Sequence, residues 1–463
     1  MTRRVFGLLL GLAIVAAGVV MPPPEGLTIQ GFRALLLLAG AIVLWVLQPV
    51  DLAVTALLGL AGLPLLGILP AASAFELFSN QAVFFVMGVF LLAAVLTHTG
   101  LAARLALTLL SRFDRSPAQL STAVLVLSTV FCGVMVSHVV AAVFFPILLE
   151  ICRALSLPHG RSPYARRLLL SMSWGTIVGS NLTFLSSVRV GLALGLLHQH
   201  NEKLRGGEDI TFAFWLLGAS VVVLAMLGAA TVVLHVFHRP ERIDMRPAVE
   251  LLQRRITEMG PMRRDEWVAA GSVVVMLVGM VLVGDRVGFG TVALTSACLS
   301  FLLGSVSFEK VEKYVSWGII LLFGGAVAMA TALEQTGAVE WLAEHLLPTG
   351  HVHPVLLVAV VAYGTVLMSE FASNTAVIAA LLPVCMVLAE GVGLQPRIMV
   401  FATVIPAGLA FMLPTGTPAM AMVFSSGYLR TRDSVLPGVV LIHLGWISVI
   451  LAASFWWPLI GLR

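Results

Sequence analysis

Four landmarks of this chain occur twice in constant register. Gly88, Thr99-Gly100, Pro146 and Gly179 recur at Gly325, Thr336-Gly337, Pro383 and Gly416, each pair separated by 237 positions (325 − 88). Such a duplication restricts the fold to two copies of one design. The stretches around the landmarks are apolar and interrupted by Gly, Pro, Ser, Asn and Thr. Interrupted apolar segments at matching places in two halves are the sequence mark of a transporter whose binding site lies near the middle of a membrane.

Of the 463 residues, 59% are hydrophobic and 11% charged, too little charge to cover a soluble protein of this size. A hydrocarbon core of about 30 Å takes roughly 20 apolar residues per helix. About eleven spans are expected, at 5–21, 32–48, 52–69, 82–111, 166–198, 212–237, 267–284, 288–306, 317–346, 398–428 and 437–460. Two further stretches, 120–151 and 355–389, are too interrupted and sharply turned for ordinary spans and read as re-entrant helical hairpins. The expected fold is an all-α polytopic membrane protein: an N-terminal repeat over 1–238, a basic cytoplasmic linker over 239–264 and a C-terminal repeat over 265–463. The apolar run after Met1-Thr2-Arg3-Arg4 continues to Met21 without an Ala-x-Ala-like cleavage site, so a retained first helix is expected. Cys132, Cys152, Cys298 and Cys385 are widely spaced and form no C-x-x-C, which indicates neither a disulfide framework nor a zinc site.

The net charge of +4 does not indicate a nucleic-acid partner, because the basic residues concentrate in alternate loops. They fall at Arg112 and Arg115; at Arg153, Arg161, Arg166 and Arg167; within 239–264; at Lys310 and Lys313; and at Arg430 and Arg432. Elsewhere Lys203 and Arg205 are offset by Glu202, Glu208 and Asp209. This positive-inside pattern puts the N-terminus in the cytoplasm and the C-terminus outside. The linker, with Pro240, Pro247 and mixed charge to Glu258, has room for an amphipathic helix. Spans 82–111 and 317–346 are five places apart in order, and an odd step turns the second copy upside down.

Two interruptions carry the chemistry. Ser369-Glu370-Phe371-Ala372-Ser373-Asn374-Thr375 opens the run to Pro383. Hydroxyl and amide groups there supply ligand atoms without the cost of a full charge. Taken alone, they are as well explained by hydrogen bonds between helices. However, Phe411-Met412-Leu413-Pro414-Thr415-Gly416-Thr417-Pro418 places two prolines and a glycine inside span 398–428. Proline removes a backbone donor, so this helix breaks in mid-membrane, and broken backbone at that depth lines a cavity or is buried in protein. Freed carbonyls suit a hard cation such as sodium, and helix N-termini suit an anion.

These motifs, together with Gly-Val-Phe-Leu-Leu-Ala at 88–93 and Leu322-Phe323-Gly324-Gly325, resemble the divalent anion–sodium symporter family over nearly the whole chain. The resemblance implies a homodimer in a bacterial plasma membrane. It would carry dicarboxylates, tricarboxylates or sulfate, usually with sodium, by an elevator-like movement. Carried over by motif, the second-repeat sodium site uses Ser369, Asn374 and carbonyls near Ala372 and Gly416, while Asn374, Thr375 and Thr417 face the substrate.

The first repeat departs from the family pattern. Val136-Ser137-His138 stands for Ser-Asn-Thr, Cys132 for Ser369, and Gly179-Ser180-Asn181-Leu182-Thr183 for Gly-Thr-Pro-Pro-Asn; Met420 replaces the family's last asparagine in the second repeat. A thiol is a poor sodium ligand, so any first-repeat site is a weaker one built from Ser137, Asn181 and the Gly179 carbonyl. Ser137, His138 and Ser180 are the first-repeat candidates for substrate contact. His138 also offers titration near physiological pH, hence proton coupling, against a purely structural role. Arg189 suits either a bidentate contact to an anion or a structural bond. Glu370 is read as pairing with the scaffold or lying near a helix N-terminus, and Glu334, Glu340 and Glu344 as a solvated face.

No G-x-x-x-x-G-K-[ST] or H-E-x-x-H occurs, which excludes a P-loop pump and a zincin protease. A coupled carrier of a C4 dicarboxylate is expected. A proton-coupled symporter, an exchanger, a sulfate or tricarboxylate carrier and a passive anion channel are the alternatives.

Overall fold

The computed structural model describes residues 3–113, 116–204, 207–239, 241, 243–304, 306–346 and 353–462; Arg115, Arg205 and Pro240, counted above, lie outside them. Every regular element among the described residues is helical. Polar residues and proline open the apolar helices. Asn80 caps Gln81–Thr99, Ser116 caps Pro117–Cys132, Ser162 caps Pro163–Gly179 and Thr211 caps Phe212–Phe237. Each side chain accepts a first-turn N–H, an interaction whose loss costs about 1 kcal/mol.

Nine segments among the described residues are long and apolar enough to cross a membrane. Three of them, Ser137–Ala154, Pro354–Phe371 and Asn374–Gly391, are arms of the two helical hairpins, so length alone does not separate a hairpin arm from a span. The expected spans at 5–21, 52–69 and 288–306 are shorter helices, Arg4–Val20, Leu52–Leu65 and Phe289–Leu302. Span 166–198 is two helices, Pro163–Gly179 and Val188–Leu204. Spans 82–111 and 317–346 each bend at a left-handed glycine, Gly100 (φ 81°) and Gly337 (φ 74°), a conformation that carries no steric penalty without a Cβ.

Helix boundaries recur at the 237-residue interval. Leu52–Leu65 corresponds to Phe289–Leu302, and the hairpin arm Ser137–Ala154 to Asn374–Gly391, at both ends (374 − 137 = 237). Pro117–Cys132 and Pro354–Phe371 share their starts. The two halves also exchange a contact. A Cβ on Gly88 would lie 2.6 Å from the Ala293 backbone, and one on Gly325 2.5 Å from the Ala56 carbonyl oxygen. Ala56 and Ala293 are themselves 237 residues apart (293 − 56). Each glycine therefore admits a helix of the opposite half at a distance no other residue permits.

Past the hairpins the register slips. The connection 155–162 is eight residues and its counterpart 392–395 is four, so Pro396–Ala407 begins 233 residues after Pro163–Gly179 (396 − 163). Consequently Gly179 and Gly416 do not occupy matching places. Gly179 ends its helix against Thr129 and Cys132, whereas Gly416 lies inside the second break. The residues that match are Thr183 and Thr417. Both have extended backbone (φ −136° and −145°) and both cap the helix that resumes the chain.

The basic linker contains the helix Arg246–Met259, with Ala248 and Leu252 buried and its arginines facing outward. Arg255 pairs with Glu150 at 3.0 Å, and Arg104 holds the helix end through the Met259 and Gly260 carbonyls while bonding Glu266 at 2.7 Å. Glu334 corrects the expectation of a solvated face. It is 5% exposed and turned toward His200 of Val188–Leu204 at 4.0 Å, because the last turn of its helix packs inward.

Candidate functional site

Both hairpin turns and both helix breaks open onto one cavity of about 960 Å³. Val136, Ser137 and His138 line it from the first hairpin, and Ala372, Ser373, Asn374 and Thr375 from the second. The breaks add Ser180, Ser187 and Arg189, and Pro414, Thr415, Gly416 and Thr417. Residues more than 200 positions apart thus converge because each hairpin reverses, and each broken helix stops, at the same depth of the bundle. Of the candidates read from sequence, Ser137, His138, Ser180, Ala372, Asn374, Thr375, Gly416 and Thr417 line the cavity. Ser369 and Gly179 do not. The Ser369 hydroxyl is buried and donates to the Thr365 carbonyl at 2.8 Å, and the Gly179 carbonyl accepts from the Leu182 N–H.

The wall is biased toward anions. Arg4, Arg189 and His138 are among its residues, and no aspartate or glutamate is. Helices Ser137–Ala154 and Asn374–Gly391 both begin at the wall, and neither has a side-chain cap. Their first-turn N–H groups remain available, and the partial positive charge of a helix N-terminus attracts an anion. Two wall atoms are buried without a hydrogen-bond partner among the described residues, His138 Nε2 and Asn374 Oδ1. An orphaned buried polar atom costs about 1–3 kcal/mol, so a site that leaves one open is built to receive a partner.

The second break is held by Glu370, which is fully buried. Its two carboxylate oxygens accept the Met412 N–H at 3.0 Å and the Leu413 N–H at 3.1 Å, and its carbonyl accepts the Thr415 hydroxyl at 3.0 Å. Glu370 thereby satisfies the donors that Pro414 leaves without helical partners. The first break uses the opposite charge. Arg189, 3% exposed, donates from Nη2 to the Ser180 carbonyl (3.1 Å), Ser180 Oγ (2.9 Å) and Asn181 Oδ1 (2.7 Å), from Nη1 to Ser187 Oγ (2.7 Å) and from Nε to the Val404 carbonyl (3.1 Å). Sequence reasoning singled out Arg189 but not its partners, and missed Ser187, Thr415 and the N-terminal Arg4 and Gln48. Arg4 and Gln48 reach the wall from helices far away in sequence, and no local pattern marks them.

Helices broken in mid-bundle around an acid-free cavity define a membrane transporter of small anions. The chain matches the sodium:sulfate symporter transmembrane region over residues 2–462 and belongs to that family. It is 26% identical over 485 residues to the sodium-dependent dicarboxylate transporter SdcS of Staphylococcus aureus (strain MRSA252), covering 99% of this chain and 92% of the relative. To SdcS of Staphylococcus saprophyticus it is 25% identical over 483 residues, covering 98% and 92%. In fold it is similar to the Neisseria gonorrhoeae MtrF efflux pump, with a TM-score of 0.58 at 13% identity over 98% of this chain and 94% of that one. The Alcanivorax borkumensis YdaH transporter gives a TM-score of 0.53 at 14% identity, over 83% and 88%.

Proposed function

We propose that this chain carries a four-carbon dicarboxylate across a bacterial plasma membrane, driven by a sodium gradient. The observation that carries the reading is the cavity itself, with two uncapped helix N-termini, Arg189 and no carboxylate among its wall residues. The N-termini and the hydroxyls of Ser137, Thr375 and Thr417 hold the two carboxylates, with His138 and Ser180 beside them. Sodium sits in the second repeat on Asn374 Oδ1 and the carbonyls of Ala372 and Gly416, with Ser369 as a more remote ligand. The dicarboxylate specificity of the SdcS relatives supports the choice of substrate. The recurring boundaries and the exchanged glycine contacts support two repeats, 1–238 and 265–463, of inverted topology with the N-terminus in the cytoplasm. Family resemblance supports a homodimer and an elevator-type cycle.

Uptake of labelled succinate into proteoliposomes under a sodium gradient, a proton gradient or neither tests the reading. Sodium-driven uptake is expected, and uptake indifferent to sodium would overturn it. A second reading, proton coupling, draws on the unpartnered His138 Nε2 in the wall. It predicts that His138→Thr abolishes the response to a proton gradient, and unchanged pH dependence in that variant ends it.

A further inference from the structure

The two repeats treat their ligand oxygens differently. In the second, Asn374 Oδ1 is buried in the cavity wall with no partner among the described residues. In the first, the corresponding kinds of atom are already taken. Asn181 Oδ1, Ser180 Oγ and the Ser180 carbonyl all face Arg189 Nη2 within 3.1 Å, and the Val404 carbonyl faces its Nε. Oxygen atoms converging from a broken helix are what a hard cation needs, and here a guanidinium fills that role. The structure is shaped around it: a Cβ on Gly408 would stand 1.9 Å from Arg189 Nη2 and 2.7 Å from Asn181 Oδ1. Gly408 therefore leaves open the volume that the guanidinium occupies. Arg189 is 3% exposed, and no carboxylate pairs with it among the described residues. Its neighbours are neutral oxygens and the cavity, so its charge is left for whatever the cavity holds.

We propose that Arg189 is a built-in cation of the first repeat, holding the oxygens a second coupling sodium would need, so that only the second repeat binds sodium. The inference rests on the sodium-coupled reading above and deepens it. The sequence departures agree with it. Cys132 and Val136 offer no oxygen side chain where the second repeat has Ser369 and Ser373, and a site already holding a cation needs none. A fixed charge also differs from a bound ion in consequence. It attracts the anion at every stage of the cycle, and the first repeat contributes no sodium to the driving force.

Equilibrium binding of radiolabelled sodium to the purified full-length chain counts the sites without requiring transport. One ion per chain is expected in the wild type, and Asn374→Ala should lose it. Two ions per chain, or an Asn374→Ala chain that keeps half of its sodium, would overturn the proposal. For the charge itself, Arg189→Gln should weaken succinate binding at saturating sodium by about tenfold or more, and Arg189→Lys should restore most of it. An Arg189→Gln chain that binds succinate as tightly as the wild type would overturn it as well. If Arg189→Gln fails to accumulate, the wild-type sodium count and the Asn374→Ala comparison decide. A chain that binds one sodium ion but transports no dicarboxylate, sulfate or citrate refutes the proposed function and leaves the cation assignment standing.

Discussion

Replacing Glu370 by glutamine keeps the size of the side chain and removes one of its two acceptors. In the wild type each carboxylate oxygen takes one backbone N–H of the second break, from Met412 and from Leu413. The glutamine oxygen can keep one of these, but its NH2 group then faces the other donor at about 3 Å, where nothing is shared. The loss is one hydrogen bond to a carboxylate, about 1.5–3 kcal/mol, and it leaves a buried N–H unpaired. Taking about 2 kcal/mol as the net effect on the ordered break, the occupied geometry around Gly416 and Thr417 becomes roughly 30-fold less favourable. The assay is succinate uptake in proteoliposomes at fixed sodium, with protein level and thermal unfolding in detergent measured in parallel. Half-saturation by succinate should rise by about that factor, with expression retained. Glu370→Asp should not rescue it, because a side chain one methylene shorter cannot reach both donors from the same backbone position. A half-saturation within about threefold of the wild type, in a folded Glu370→Gln chain, would refute the idea that this carboxylate holds the break in its binding geometry.

Other measurements address separate parts of the structure. Gly88→Ala and Gly325→Ala each force a Cβ to within 2.6 Å of the opposite half, so both should lower the unfolding midpoint through about 1–3 kcal/mol of overpacking, and by similar amounts. Arg104→Ala removes the donors that hold the Met259 and Gly260 carbonyls and leaves Glu266 without its cation; amide exchange across 246–259 should accelerate by at least about tenfold. Asp209 is half-buried, which opposes ionisation, yet hydrogen bonds from His198 and Asn201 hold its carboxyl below the usual 3.8. A depressed folded value means that its contribution is present above pH 3.8 and is lost as the pH falls below it, so exchange protection at 198–201 should drop in that range. Asp209→Asn should show the weaker protection already at neutral pH.

The hairpins and the second break were legible because their signals are local. Ser-Asn-Thr ahead of Pro383, and Pro414 and Pro418 around Gly416, each disrupt an apolar run within a few residues. The common register was legible as far as Gly391 because equal helices and equal connections preserve it. It failed at Gly179 because connection length varies at little thermodynamic cost, and a shift of four residues leaves an accidental glycine in the old register. Glu334 was misread for a different reason. Its neighbours in sequence suggest an aqueous helix end, while its burial is decided by His200, 134 residues away (334 − 200). Arg189 illustrates the same limit: its charge was conspicuous, but the Val404 carbonyl and the space beside Gly408 belong to another part of the chain.

The exchanged glycine contacts also bear on how the molecule is made. Gly88 packs on Ala293, so its helix waits for 205 more residues (293 − 88) before that face is covered. At about 5–20 residues per second, synthesis leaves the groove open for roughly 10–40 s. During that interval lipid or an insertion factor must occupy it. Chains truncated before residue 289 should therefore stay bound to the insertion machinery, and the two halves expressed from separate messages should be stable only when both are present.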